Sequence, residues 1–258
     1  MDLQLKDKTA LVTGSTQGIG FAIARGLAAE GAAVIVNGRT EDKVKAAVDR
    51  IKRESPQAEV GGMHADLSTR DGVDQLTGHA QKCDILVNNI GIFGPKDFLD
   101  IEDADWQSFF DTNVMSAVRL SRHYLPGMIE RGWGRLLFVS SESGIHIPPE
   151  MVHYGVTKAA LLALSRGIAE SVPGTGVTAN SILPGPTRSE GVEEMLAEGG
   201  DPGQSQDEIE QDFIENTRPT SLIKRLATPE EVANLTVYLA SPRSSATNGA
   251  KYRVSLAN

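Results

Sequence analysis

Short apolar runs alternate along this chain with longer stretches in which apolar side chains recur every three or four positions. The short runs cover residues 9–13, 32–37, 59–65, 83–87, 135–139 and 176–183. Near-continuous apolar strands of this kind belong to a parallel sheet covered on both faces. Helical spacing fills the intervals: through Phe21, Ala24 and Leu27, over residues 41–54, from Ser68 or Thr69 onward, over 106–131, from about Val152 through Leu161 and Ile168, and from Thr228 through Val232 and Leu239. This alternation predicts an α/β fold: a doubly wound, Rossmann-like parallel sheet of about seven strands, flanked by helices on both faces and joined by right-handed crossovers. The 258 residues suffice for one such sheet, so a single domain over residues 1–258 is expected. One stretch breaks the alternation. Residues 190–216 are rich in Glu, Asp, Gly and Gln, which suits a substrate lid of one or two amphipathic helices at about 188–225; the alternative is a disordered acidic loop.

Ligands of doubly wound sheets sit beyond the carboxyl ends of the strands, and it is there that this chain becomes polar. Gly14, Ser15, Thr16, Gln17, Gly18, Ile19 and Gly20 follow the first run. Such a turn lets backbone N–H groups and a helix N-terminus approach a phosphate without obstruction by Cβ atoms; the alternative is a tight turn with no ligand. The second run ends in Gly38 and Arg39, where an acid would bind a ribose 2′-hydroxyl and an arginine suits a 2′-phosphate. Arg39 is otherwise a solvated loop charge or a stacking partner for adenine. Asp66, with Leu67 beside it, either accepts a bond from an adenine amino group or caps the next helix. Asn88 and Asn89, leading to Gly91, are read first as ties between strands and second as cofactor contacts. Asn113 lies inside a helical pattern, Ser140 and Ser141 end the fifth run, and Pro184, Gly185, Thr187 and Ser189 follow the sixth.

Tyr154 and Lys158 stand four positions apart in a helical pattern and therefore share a helix face. An ammonium beside a phenol favours the phenolate, so Lys158 is expected to lower the Tyr154 pKa toward the range in which a carbonyl and an alcohol interconvert. Taken alone, such a pair is also a common accident of helix surfaces. All the polar groups above converge on one crevice in the expected topology, and this raises the pair above that alternative.

Composition narrows the function. A net charge of −9 argues against nucleic acid or an anionic membrane recognised by bulk electrostatics. Cys83 is the only cysteine, which excludes an intrachain disulfide and a thiolate-rich zinc site, and no metal is expected. The first residues lack the apolar core of a signal peptide, and no apolar run approaches the ~20 residues of a membrane helix, so a cytoplasmic protein is expected.

Thr13-Gly14-x-x-x-Gly18-x-Gly20, Asn88-Asn89-x-Gly91, Asn113, Ser141, Tyr154-x-x-x-Lys158 and Pro184-Gly185, in this order, closely resemble the motifs of the short-chain dehydrogenase/reductase family over essentially the whole chain. The thirteen positions from Ser141 to Tyr154 match the family interval, which favours Ser141 over its rival Ser140. The resemblance implies a catalytic tetrad of Asn113, Ser141, Tyr154 and Lys158. Tyr154 would exchange a proton with the substrate oxygen, and Ser141 would hydrogen-bond that oxygen. Lys158 would bind the nicotinamide ribose, Asn113 would hold a water linking Lys158 to solvent, and Thr187 and Ser189 would lie near the carboxamide. The implied activity is hydride transfer between a nicotinamide cofactor and a small-molecule ketone or secondary alcohol, with NADP(H) favoured by Gly38 and Arg39 and NAD(H) possible. A nucleotide-binding sensor or scaffold is the alternative; an intact tetrad argues against it. Ile92, Phe93, His146, Ile147, Met151 and Val152 are candidates for the substrate pocket, and His146 and His153 are read as bystanders.

The chain departs from the family pattern in three places. Ile90 replaces the usual Ala and is expected to crowd the cofactor. Gly38 removes the acid of NAD users. The final residues, 249–258, lack the expected Asp-Gly-Gly. In the family that end helps to build a subunit interface, so this departure bears on the expected homo-oligomer, a tetramer or dimer.

Overall fold

The computed structural model describes residues 2–199 and 203–255. Residues 200–202 of the expected lid and 256–258 of the atypical end lie outside the described residues. Seven strands form one sheet: β1 (Thr9–Val12), β2 (Ala33–Gly38), β3 (Val60–His64), β4 (Ile85–Asn88), β5 (Gly134–Val139), β6 (Val177–Pro184) and β7 (Lys251–Val254). Their order is β3-β2-β1-β4-β5-β6-β7, with every neighbouring pair parallel. The chain therefore winds outward from β1 in one direction and then, from β4, in the other. That reversal opens a crevice at the carboxyl ends of β1 and β4.

Both sheet faces are covered, as the apolar runs require. On one face Val12, Val36, Val87, Leu137 and Ile182 pack against α1 (Gly18–Ala29), α2 (Glu41–Glu54) and α9 (Pro229–Ala240), through Leu27, Ile51 and Val232 among others. On the other, Leu11, Leu86, Leu136 and Phe138 pack against α3 (Arg70–His79), α5 (Ser116–Glu130) and α6 (Val152–Ser171), through Leu76, Leu120 and Leu161. β7 is the exception: Lys251 and Arg253 are exposed, and the alternation fits an edge strand. It forms without the expected Asp-Gly-Gly, because its pairing to β6 runs through the backbone from Ser181↔Lys251 to Pro184↔Val254.

The helix expected over 106–131 begins earlier and is not uniform. Its first part, α4 (Asp103–Phe110), starts at a capping box between Glu102 and Asp105. A π-helical turn over Asp111–Met115 then joins it to α5, and Asn113 sits on that turn. A capping box is visible in sequence only in its strongest form, Ser or Thr followed by Glu; here an acid plays both parts.

Candidate active site

The turn after β1 is built around missing side chains. Gly14 and Gly18 have φ values of +59° and +56°, where a Cβ is strained. A Cβ on Gly20 would lie 2.4 Å from the Gly14 carbonyl oxygen. Beneath the turn, Thr13 Oγ1 accepts from the backbone N–H groups of Asn89 (2.9 Å) and Ile90 (3.1 Å), and Asn89 Nδ2 donates to the carbonyls of Thr13 and Gly14, each at 3.0 Å. Asn89 thus ties β1 to β4, and it also lines the crevice. Asn37 completes the scaffold. Its Oδ1 accepts from the Gly14 N–H, and its Nδ2 donates to the carbonyls of Met63 and Ala65, which links three strand ends. Sequence reasoning passed over Asn37, although a polar residue ending an apolar strand was the signal.

These residues fit a dinucleotide phosphate. Helix α1 starts at Gly18 with no side-chain cap from Gln17 and no acid in its first turn, and residues Gln17, Gly18, Ile19 and Gly20 line the crevice. Its first N–H groups have no partner within the helix, so the positive end of the helix is open to an anion.

The crevice, about 300 Å³, runs from this turn to Tyr154. Ser140, Ser141, Lys158, Gly91, Pro184, Gly185, Thr187 and Ser189 line it as well. The two serines separate cleanly. Ser140 Oγ donates to the Lys158 carbonyl at 2.7 Å and faces the helix backbone. Ser141 lines the crevice with Tyr154, its hydroxyl acts to lower the pKa of the phenol, and its Oγ accepts from the Ser143 N–H.

Lys158 is buried and its Nζ donates to the Val139 carbonyl at 3.0 Å, with the ammonium 5.6 Å from the Tyr154 ring centre. A Cβ on Gly91 would lie 3.2 Å from that Nζ, so glycine leaves the lysine its room. Burial lowers the Lys158 pKa to about 8. The expected lowering of the Tyr154 pKa is not found: desolvation pushes the phenol up to about 12, the Ser141 hydrogen bond pulls against this, and the Glu142 carboxylate adds to it. The reason is geometric, since Lys158 aims at Val139 and is itself desolvated. At neutral pH Tyr154 is a protonated phenol, a proton donor.

Asn113 is fully engaged. Its Oδ1 accepts from Ile92 N–H at 2.8 Å, and its Nδ2 donates to the Ile92 carbonyl and to Thr157 Oγ1, each at 3.0 Å. It holds the loop after β4 against the helix that carries Lys158.

Several expected cofactor residues lie outside the crevice wall. Ser15 is buried, donating to the Val12 carbonyl, and Leu67 is a core side chain with no exposure. Thr16 packs against Gly38, where a Cβ would come within 2.5 Å of its methyl group. The Asp66 carboxylate accepts from the N–H and hydroxyl of Ser68, and the helix cap is Thr69, which accepts from Gly72 N–H. Arg39 is exposed beside Gly38. Ile90 does not crowd the crevice; its side chain packs against the core on the α3, α5 and α6 face. Of the expected pocket residues, Phe93 and Met151 line the crevice, and His146 and Ile147 line a neighbouring cavity. His153 packs against Phe109 and Trp106.

The residues at 188–225 form α7 (Glu190–Gly199), α8 (Gln206–Asp212) and a second π-helical turn, Phe213–Thr217. Gly191, Val192, Met195, Phe213 and Arg218 close the crevice from above, none of them singled out by sequence. Arg188 pairs with Glu210, and Arg218 Nε donates to Glu142 Oε1 at 3.0 Å.

A glycine turn that fits a phosphate and a phenol beside a serine, in one crevice of a doubly wound sheet, suit a nicotinamide-dependent oxidoreductase. The comparisons with known proteins agree. A family model described as enoyl-(acyl carrier protein) reductase matches residues 14–255. The chain is 49% identical to an uncharacterised oxidoreductase, YvaG, of Bacillus subtilis, over 98% of this chain and 96% of the relative. It is 34% identical to D-beta-hydroxybutyrate dehydrogenase of Cupriavidus necator, over 95% of each. Among solved structures, L-sorbose reductase of Gluconobacter frateurii, complexed with NADPH and L-sorbose, superposes with a TM-score of 0.93 at 33% identity, over 98% of this chain and 97% of that one. The chain belongs to the short-chain dehydrogenase/reductase family and is an NAD(P)-dependent oxidoreductase acting on CH–OH and C=O groups. Among the described residues no helix is long and apolar enough to cross a membrane, and no cluster of three or more His, Cys, Asp or Glu side chains could hold a metal.

Proposed function

We propose that this chain reduces a small ketone to a secondary alcohol with Tyr154 as the proton donor, and that the reaction is run preferentially with NADP(H). The observation that carries the reading is the placement of Tyr154 with Ser141 and Lys158 on one crevice wall, where desolvation pushes the phenol up to about 12 and so keeps its proton at neutral pH. A carbonyl oxygen beside both hydroxyls receives the Tyr154 proton while Ser141 donates to the charge that develops there. Lys158, one helical turn on, presents an ammonium below pH 8 and holds it against the Val139 carbonyl. Asn113 acts through position, with its amide committed to Ile92 and Thr157.

Nicotinamide supplies the hydride when bound. Gly14 to Gly20 would hold the phosphates, Asp66 and the Leu67 backbone the adenine side, and Asn89, Gly91, Lys158, Pro184, Gly185, Thr187 and Ser189 the nicotinamide side. Arg39, exposed beside a residue with no side chain, suits a 2′-phosphate, and the NADPH complex of the similar L-sorbose reductase supports this preference; NAD(H) is the second choice. Residues 188–225 act as the lid of a single domain. Assembly as a dimer or tetramer and a cytoplasmic setting belong to the same proposal and rest on family membership. A panel of ketones and secondary alcohols assayed with both cofactors tests it: ketone-dependent oxidation of NADPH is expected, and no turnover with any carbonyl would overturn it.

A further inference from the structure

We propose that the ion pair of Glu142 and Arg218 is a substrate-recognition element that selects neutral polyhydroxylated ketones and the matching alcohols. The inference deepens the oxidoreductase reading and rests on it.

Glu142 follows Ser141 directly, on the 3-10 turn Glu142–Gly144, and is 6% exposed. Arg218 reaches it from the lid, immediately after the π-helical turn Phe213–Thr217. A π-helical turn is a costly distortion that recurs at functional sites; the other one in the described chain carries Asn113. Both members of the pair line the crevice that holds Tyr154. Both also line a second, open cavity of about 590 Å³, with His146, Glu150, Asn216 and Thr220. The pair therefore stands where the two spaces meet, one residue from the serine that would bind the substrate oxygen.

A partly buried ion pair does little for stability once its desolvation is counted, so its location invites a use in binding. The chemistry of the pair sorts the candidates. A carboxylate or phosphate on the substrate would meet a guanidinium already matched by Glu142, and would face the carboxylates of Glu142 and Glu150 as well. An alkyl chain would strip water from both charges and return no hydrogen bond. Hydroxyl groups fit, because each donates to a carboxylate and accepts from a guanidinium without separating the two. The apolar side chains of Phe93, Met151 and Phe213 cover the reacting end, while the polar second cavity receives the hydroxylated remainder.

The test compares kcat/KM for erythrulose with that for 2-butanone, its four-carbon analogue without hydroxyls, and for acetoacetate, in the wild type and in Glu142→Gln and Arg218→Lys. These changes keep the shape of one partner and the charge of the other, and circular dichroism and melting curves check the fold. In the wild type erythrulose is expected to exceed both other ketones by about tenfold or more, the worth of one charge-assisted hydrogen bond. Each variant should reduce the erythrulose-to-butanone ratio about tenfold, chiefly through KM. A wild-type preference for butanone or acetoacetate, or a ratio unchanged in both variants, would overturn this inference and leave the oxidoreductase reading standing. Absence of turnover with all three ketones and both cofactors would overturn this inference, and the proton-donor reading falls with it only if no other carbonyl of the wider panel is reduced.

Discussion

Asn113 grips Ile92 by both sides of its peptide backbone, accepting from its N–H at 2.8 Å and donating to its carbonyl at 3.0 Å. The third bond of the amide, to Thr157 Oγ1, ends one residue before Lys158. A single buried side chain thus couples the loop after β4 to the helix that carries Tyr154 and Lys158. The π-helical turn presents it, since the widened turn moves Asn113 off the face that a regular helix would give it.

Asn113→Leu removes the side-chain partner of both half-buried Ile92 peptide groups. We expect a loss of about 2–4 kcal/mol in unfolding free energy, on the usual cost of unsatisfied buried groups, and a fall in kcat larger than the change in cofactor affinity. Urea denaturation with steady-state kinetics measures both. Near-wild-type stability and kcat would remove the positioning role.

Lys158 gives a pH signature. Its pKa is lowered to about 8 by burial, from 10.5, while Tyr154 stays protonated to about 12. Ketone reduction by the free enzyme should therefore decline as pH rises through about 8, as the ammonium is lost, and kcat/KM profiles read this directly. Stability moves the other way. Between about pH 8 and 10.5 the unfolded chain binds a proton at Lys158 that the folded chain does not, so wild-type stability gains with pH across that window. Lys158→Met has no such term. The melting temperature of the variant relative to wild type should fall between pH 7 and pH 9.5, and a constant difference would contradict the burial of a charged lysine.

Arg39 bears on cofactor choice. Replacement by Ala removes the cation next to Gly38 and is expected to weaken NADPH about tenfold or more, as loss of a charge-assisted contact does, with little effect on NADH. Titration of intrinsic fluorescence with each cofactor decides it; equal losses for both would remove the basis for NADP(H).

Glu190 stands at the phosphate turn, its Oε2 3.4 Å from where a Cβ on Gly18 would be. An anion there opposes a bound phosphate. Glu190→Gln should tighten cofactor binding several-fold, more at low salt than at high. Weaker binding would show instead that the carboxylate helps to hold the cofactor.

The sheet and most of the crevice were legible in the sequence because both depend on local pattern. Buried parallel strands must be apolar throughout, and the glycines of the turn at residues 14–20 answer a demand of backbone geometry that no other residue meets. The Ser141-to-Tyr154 interval is legible through family resemblance, and in the structure the Ser140 hydroxyl donates to the Lys158 carbonyl. What sequence could not supply depends on distant contacts. Glu142 and Arg218 are 76 positions apart and meet only in the folded chain. Ile90 is expected from sequence to crowd the cofactor, whereas its partly buried side chain packs against the core. Helix spacing predicts a lowered Tyr154 pKa and desolvation raises it instead, since spacing reports that Lys158 is near and says nothing of how the phenol is solvated.

The central claim is that Tyr154 donates the proton, and Tyr154→Phe tests it most directly because only one oxygen is removed. Single-turnover reduction of a turned-over ketone, measured beside the dissociation constant for NADPH, should show a rate lowered by about a hundredfold or more, in the range attributed to general acid catalysis, with cofactor affinity within about twofold of wild type. Retention of a near-wild-type rate with intact NADPH binding would contradict the account.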